Sequence, residues 1–172
     1  MSRRALATGV LVLLLAVDAL GAETPRPRGT GTHAGAEAGV RAAMAHYDRL
    51  VLGMKGDSIA ATYLPEGVMV NQGHTIARGP DSIRTFLAAF DGKVRVDRQR
   101  TDIDSIRIHA DTAFVSGVYH QTATLLADSN TVEVSGRIEA AWVRTAAGWR
   151  IRSMATEPLA APRPAPTDTT RH

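Results

Sequence analysis

Between Gly39 and Met54 the apolar side chains Val40, Met44, Tyr47, Leu50, Val51 and Met54 recur every three or four positions, the spacing of an amphipathic helix. Gly53 and Gly56 end it. Asp57 opens a second short helix with Ile59, Ala60 and Tyr63 along one side, and Pro65-Glu66-Gly67 breaks it. Val68 to Asn71 reads as a short strand that turns at Gln72-Gly73 and pairs back through Thr75 to Arg78. Gly79-Pro80-Asp81-Ser82 suits the first turn of a third helix. Ile83, Phe86, Leu87 and Phe90 form its apolar stripe, and Asp91-Gly92 closes it.

Beyond Gly92 the pattern is that of strands. Val94 to His109 carries Val94, Val96, Ile103, Ile106 and Ile108; Thr112 to about Leu126 carries Phe114, Val115, Val118, Tyr119, Leu125 and Leu126. After a turn at Asp128-Ser129-Asn130, Val132, Val134, Gly136, Ile138, Ala140 and Trp142 alternate cleanly. Ala146-Ala147-Gly148 turns the chain into a last strand, Trp149 to Thr156. Three helices followed by a meander of long strands, which twist and curl, predict an α+β domain with helices on one face of a curved sheet.

The chain ends read differently. Arg3 and Arg4 precede an apolar run from Ala5 to Val17, and Ala19, Gly21 and Ala22 are small. This is the three-part layout of a secretory signal. The run is shorter than the roughly 20 residues a spanning helix needs, so processing is expected rather than a retained anchor. Cleavage after Gly21 is preferred, because cleavage after Ala22 puts the larger Leu20 at the −3 position. Residues 1–21 are therefore read as a signal peptide, 22–38 as a Pro- and Gly-rich flexible linker, 39–158 as the folded domain and 159–172 as a disordered tail. The mature protein is expected to be exported, periplasmic or secreted, with no membrane segment.

Composition narrows the chemistry. With 172 residues the chain has room for one domain. Its 20 basic and 17 acidic residues leave a net charge of +3, a small excess for nucleic-acid binding. Lys93, Arg95, Arg98 and Arg100 are interleaved with and followed by Asp97, Asp102 and Asp104, as on a solvated strand that protects a sheet edge. The absence of cysteine excludes disulfides, thiolate metal sites and a cysteine nucleophile. The six histidines show no His-x-His or His-Glu-x-x-His spacing, so neither metal nor cofactor is expected. The glycines of Gly29-Thr30-Gly31-Thr32-His33-Ala34 follow a Pro-Arg-Pro-Arg stretch, not the strand that a dinucleotide turn requires.

Several motifs now agree in order and spacing: Gly56-Asp57, Tyr63-Leu64-Pro65-Glu66-Gly67, Ala77 through Ile83, Ile106 through Val115, and Ser135-Gly136-Arg137 leading through Trp142 to Gly148-Trp149-Arg150-Ile151. Over about residues 39–158 the chain resembles the SnoaL-like branch of the nuclear-transport-factor-two-like superfamily. It is especially similar to bacterial domains related to the association domain of the calcium/calmodulin-dependent kinase. The resemblance implies a cone: a curved antiparallel or mixed sheet with the three helices on its concave face and an open-mouthed cavity between them. It also favours a homodimer. In steroid-isomerase-like members a carboxylate at the end of the first short strand acts as base, and a later-strand acid and a helix tyrosine hold the oxyanion. Here Asn71 falls at the base position, and an amide is no base near neutral pH. Ala141 falls at or near the position of the acid, and Tyr47 corresponds to the tyrosine.

If Ala141 faces the cavity, period-two alternation sends Arg137 and Glu139 there as an ion pair, and turns Phe114, Ser116, Val118 and His120 inward on the preceding strand. His120 is the general acid–base candidate by residue type. The candidate ligand site thus comprises Tyr47, Asn71, His120, Arg137 and Glu139 as polar anchors, with Phe86, Phe90, Phe114, Val118 and Met154 as wall. The expected function is binding of a small, largely apolar molecule. The alternatives are an interaction module with a filled cavity, and an isomerase, cyclase or dehydratase using His120.

Overall fold

A computed structural model describes residues 33–159. The expected signal peptide, most of the expected linker and the tail from residue 160 lie outside them. The elements run α1 (His33–Leu52), α2 (Gly56–Ala60), β1 (Tyr63–Asn71), β2 (His74–Arg78), α3 (Gly79–Ala88), β3 (Val94–His109), β4 (Thr112–Leu125), β5 (Thr131–Thr145) and β6 (Gly148–Pro158). The architecture is the expected α+β. The strands form one open six-stranded sheet in the order β2-β1-β6-β5-β4-β3. Every pair is antiparallel except β1 with β6, which is parallel.

α1 begins six residues before the expected start at Gly39. Ala34, Ala36 and Ala38 favour helix, Ala36 extends the buried stripe of Val40, Met44, Tyr47 and Leu50, and Arg41 pairs with Glu37 one turn back at 2.8 Å. Residues 33–38 are therefore helix and not linker. Asp48 fastens α1 to β3: its carboxylate accepts from the Thr101 amide and hydroxyl, both at 2.9 Å, and from Gln99 Nε2 at 3.1 Å.

The second correction concerns Tyr63, which opens β1 and does not end α2. Pro65 cannot continue a helix. It sits instead in the irregular stretch of β1, where the pairing with β6 shifts register between Tyr63 and Val68, a place that tolerates proline. At the β1–β2 turn both Gln72 and Gly73 have positive φ, as two-residue hairpin turns require.

The core lies between the helices and one face of the sheet. Val40, Met44, Ile59, Ile83, Trp142 and Ile151 are its largest fully buried side chains. β3 stands at the sheet edge with Arg95, Arg98 and Arg100 exposed.

Candidate functional site

The helices do not fill the inner face of the sheet. Between them and β1, β3, β4, β5 and β6 lies a cavity of about 390 Å³, within the roughly 300–1,000 Å³ range of small-molecule sites. Its wall is largely aliphatic, with Phe86 and Phe90 packed edge-to-face at 5.3 Å between ring centres. The polar lining is Tyr47, Tyr63, Asn71, Gln121 and Thr156. Among the described residues no Asp, Glu, His, Lys or Arg lines it.

Tyr47 from α1 and Tyr63 from β1 face each other. Burial raises the Tyr47 pKa above that of an ordinary phenol; the neighbouring Tyr63 hydroxyl lowers it and the Asp48 charge raises it. Burial, then Tyr47, raises that of Tyr63 further. Both hydroxyls are protonated donors at neutral pH. Their approach falls short of a well-formed hydrogen bond, and Tyr63 Oη remains buried with no partner.

Tyr47, Asn71, Phe86, Phe90 and Met154 line this cavity as expected. Phe114, Val118, His120, Arg137 and Glu139 do not. The pairing of β4 with β5 runs without a shift from Thr112 opposite Val143 to Thr124 opposite Thr131, so alternation is unbroken. Ala113, Val115, Ile138, Ala140 and Trp142 are buried in the core, whereas Phe114, Arg137 and Glu139 are exposed. The expected inward set therefore belongs to the outer face: the register is off by one residue, which exchanges the two faces of a strand. Arg137 and Glu139 form no ion pair with each other. The clean alternation from Val132 to Trp142 already marks the inner face of β5. Carried across the β4–β5 pairing, it brings Gln121 opposite Val134 and into the cavity. Tyr63, also missed, was hidden by its assignment to a helix.

On the outer face His120 stands between Arg100 of β3 and Ser135 of β5. Its Nδ1 lies 2.9 Å from Ser135 Oγ and its Nε2 3.4 Å from Asp102 Oδ2, which Arg100 Nη2 also contacts at 2.7 Å. An open cleft of about 600 Å³ runs beside this row. Among the described residues no group of three or more acidic, histidine or cysteine side chains is arranged to hold a metal ion.

The fold has many solved counterparts. A ketosteroid isomerase-like protein from Erwinia carotovora atroseptica superposes with a TM-score of 0.64 at 22% identity, covering 72% of this chain and 96% of the other. A nuclear transport factor 2-like superfamily protein from Salmonella enterica serovar Typhimurium gives 0.64 at 17%, covering 78% and 99%. A putative calcium/calmodulin dependent protein kinase II association domain from Xanthomonas campestris gives 0.56 at 16%, covering 72% and 87%. At these identities the likeness is one of fold. No curated protein matches the chain in sequence. A family model, the SnoaL-like domain, matches residues 32–155. Its span takes in all the elements above almost to the end of β6, and the chain belongs to the SnoaL-like domain family.

Proposed function

We propose that the chain binds one small, uncharged, largely apolar molecule in the inner cavity and holds an acceptor oxygen of it on the hydroxyls of Tyr63 and Tyr47. The observation that carries this reading is the buried, unpartnered Tyr63 Oη in a cavity whose lining bears no charge. An unpaired buried hydroxyl costs about 1–3 kcal/mol, which a carbonyl, ether or hydroxyl oxygen of a ligand recovers. A carboxylate ligand gains the same contact but loses its hydration without meeting a counter-ion, a larger cost. Proton abstraction needs a base within reach of the substrate, and no lining group is one at neutral pH. Binding is thus favoured over acid–base isomerisation, and His120 does not serve this cavity.

The test uses Prodan, a neutral fluorescent naphthyl ketone, against 6-(dimethylamino)-2-naphthoate, which keeps its ring and amine and carries a carboxylate in place of the ketone. Saturable blue-shifted Prodan emission is expected, with the naphthoate binding at least about tenfold more weakly and Tyr63→Phe weakening Prodan several-fold. Equal affinity for both compounds, or no saturable binding of Prodan, overturns the reading.

A second observation supports a homodimer. Phe114 is 47% exposed on the outer face, opposite Ala141, with Arg137 and Glu139 offering charges of both signs to a copy of the same surface. Phe114→Asp is expected to convert a dimer to monomer in sedimentation velocity; a wild-type monomer overturns this. We also infer export from the charged, apolar and small-residue sequence of residues 1–21. A mature N-terminus at Ala22 is expected, and a chain retaining Met1 contradicts it.

A further inference from the structure

The histidine that leaves the cavity enters a second arrangement. Arg100, His120 and Ser135 form one row across three adjacent strands. Asp102, two residues along β3 from Arg100, reaches the imidazole from the other side. One tautomer satisfies both contacts. With the proton on Nε2, that nitrogen faces Asp102 Oδ2 at 3.4 Å, a charge contact rather than a formed hydrogen bond, and Nδ1 accepts from Ser135 Oγ at 2.9 Å. Arg100 Nη2, at 2.7 Å from Asp102 Oδ2, holds the carboxylate in place. A hydroxyl nucleophile within hydrogen-bond reach of a base, with that base oriented by a third group, is the general signature of an activated nucleophile.

The surroundings suit a substrate of moderate size. The residues lining the cleft beside the row include Arg98, Arg100, His120, Thr122, Glu133 and Ser135, and also Leu52 of α1. Arg98, Thr122 and Glu133 form the next cross-strand row, about 7 Å away by strand geometry. The ion pairs at this edge join Arg95 to Asp97 and Arg100 to Asp102. Among the described residues Arg98 has no ion-pair or side-chain hydrogen-bond partner, so its charge is available to an oxyanion.

We propose that Ser135, His120 and Asp102 constitute a second, outer-face reactive site at which Ser135 accepts the acyl group of small activated esters. Ser135 Oγ bonds to the ester carbonyl carbon as its proton passes to His120 Nδ1, and Asp102 stabilises the imidazolium that forms. The carbonyl oxygen carries the negative charge toward Arg98. Collapse of the tetrahedral species breaks the bond to the leaving oxygen, which takes the proton from Nδ1. Water then attacks acyl-Ser135, giving its proton to His120 Nδ1 and releasing the carboxylic acid as the serine is reprotonated. No redox partner is needed. The site is half-open, with the His120 and Asp102 side chains 44% and 51% exposed, so the expected reactivity is slow and limited to good leaving groups.

The experiment is intact-mass and peptide mapping of the full chain after incubation with a fluorophosphonate probe and, separately, with p-nitrophenyl acetate. A single adduct on Ser135 is expected, forming at least about tenfold more slowly in His120→Gln and several-fold more slowly in Asp102→Asn and Arg98→Gln. These side chains lie outside the core, and unchanged circular dichroism confirms folding of each variant. An unmodified Ser135, or labelling at the same rate in His120→Gln, overturns the proposal, whatever the cavity binds.

Discussion

Tyr63 meets two opposed demands. Its ring completes the core at 3% exposure, while its hydroxyl meets only Tyr47, short of a well-formed hydrogen bond. Tyr63→Phe removes the orphaned group and keeps the ring, so the ligand-free protein should gain about 1 kcal/mol by denaturant titration while binding weakens. A variant that is less stable as well shows the hydroxyl to be satisfied by water. The three tyrosines of the chain, Tyr47, Tyr63 and Tyr119, all have pKa values raised first by burial. In the unfolded chain they ionise near pH 10. Their folded values lie higher, so their contribution to stability is complete below pH 10 and is lost as pH rises above it. Tyrosinate absorbance should therefore lag that of a free phenol and appear together with loss of circular dichroism; earlier ionisation contradicts the burial. Prodan affinity, by the same reasoning, should be flat from about pH 6 to 9. At this scale the sequence was read only in part. Tyr47, Phe86 and Met154 were identifiable because each lies on an element with an apolar face, and Asn71 through the resemblance that puts it at the end of the first short strand. Phe114 and Val118 were misplaced because both faces of β4 carry apolar side chains, with Ala113 and Val115 on the other, so its own pattern does not choose a face.

Asp48 ties α1 to the edge strand through hydrogen bonds from two residues of β3. Asp48→Ala leaves the Thr101 amide and hydroxyl without their acceptor, and a cost of about 2–3 kcal/mol is expected. The loss should fall on the helix, so hydrogen exchange should rise along α1 and β3 more than along β5. A uniform rise would mean that α1 has no separate attachment. Strand boundaries were legible here: the observed limits of β3, β4, β5 and β6 fall within about two residues of those drawn from alternation and turn chemistry. The starts of α1 and β1 were not. A Pro- and Gly-rich stretch up to Gly31 masked the alanine-rich turn that follows it. Tyr63, one helical turn beyond Ile59, fits the apolar stripe of α2 as well as it fits a strand. Only its parallel partner, Ile151, decides the matter, and no local pattern reports a partner so distant in sequence.

At the scale of the molecule, two sites of different character share one sheet. On β4 Gln121 borders an uncharged cavity while His120, its neighbour in sequence, stands in a polar row on the opposite face. Which strands lie side by side matters as much as which way they face. The β1–β2 hairpin joins the rest of the sheet only through β6, so a chain ending at Thr145 is expected to show no cooperative thermal transition; a sharp one would mean that the helices suffice. The parallel contact of β1 with β6 also has a consequence in time. The first hairpin made must wait for the last strand, because no other strand joins it to the rest of the sheet. During synthesis the early elements can form and dissolve, but the domain cannot lock until its final strand has left the ribosome. Contacts this distant in sequence are slow to close, and for a chain that is exported, as proposed, that delay keeps it loose enough to be threaded through a membrane before it becomes a solid object.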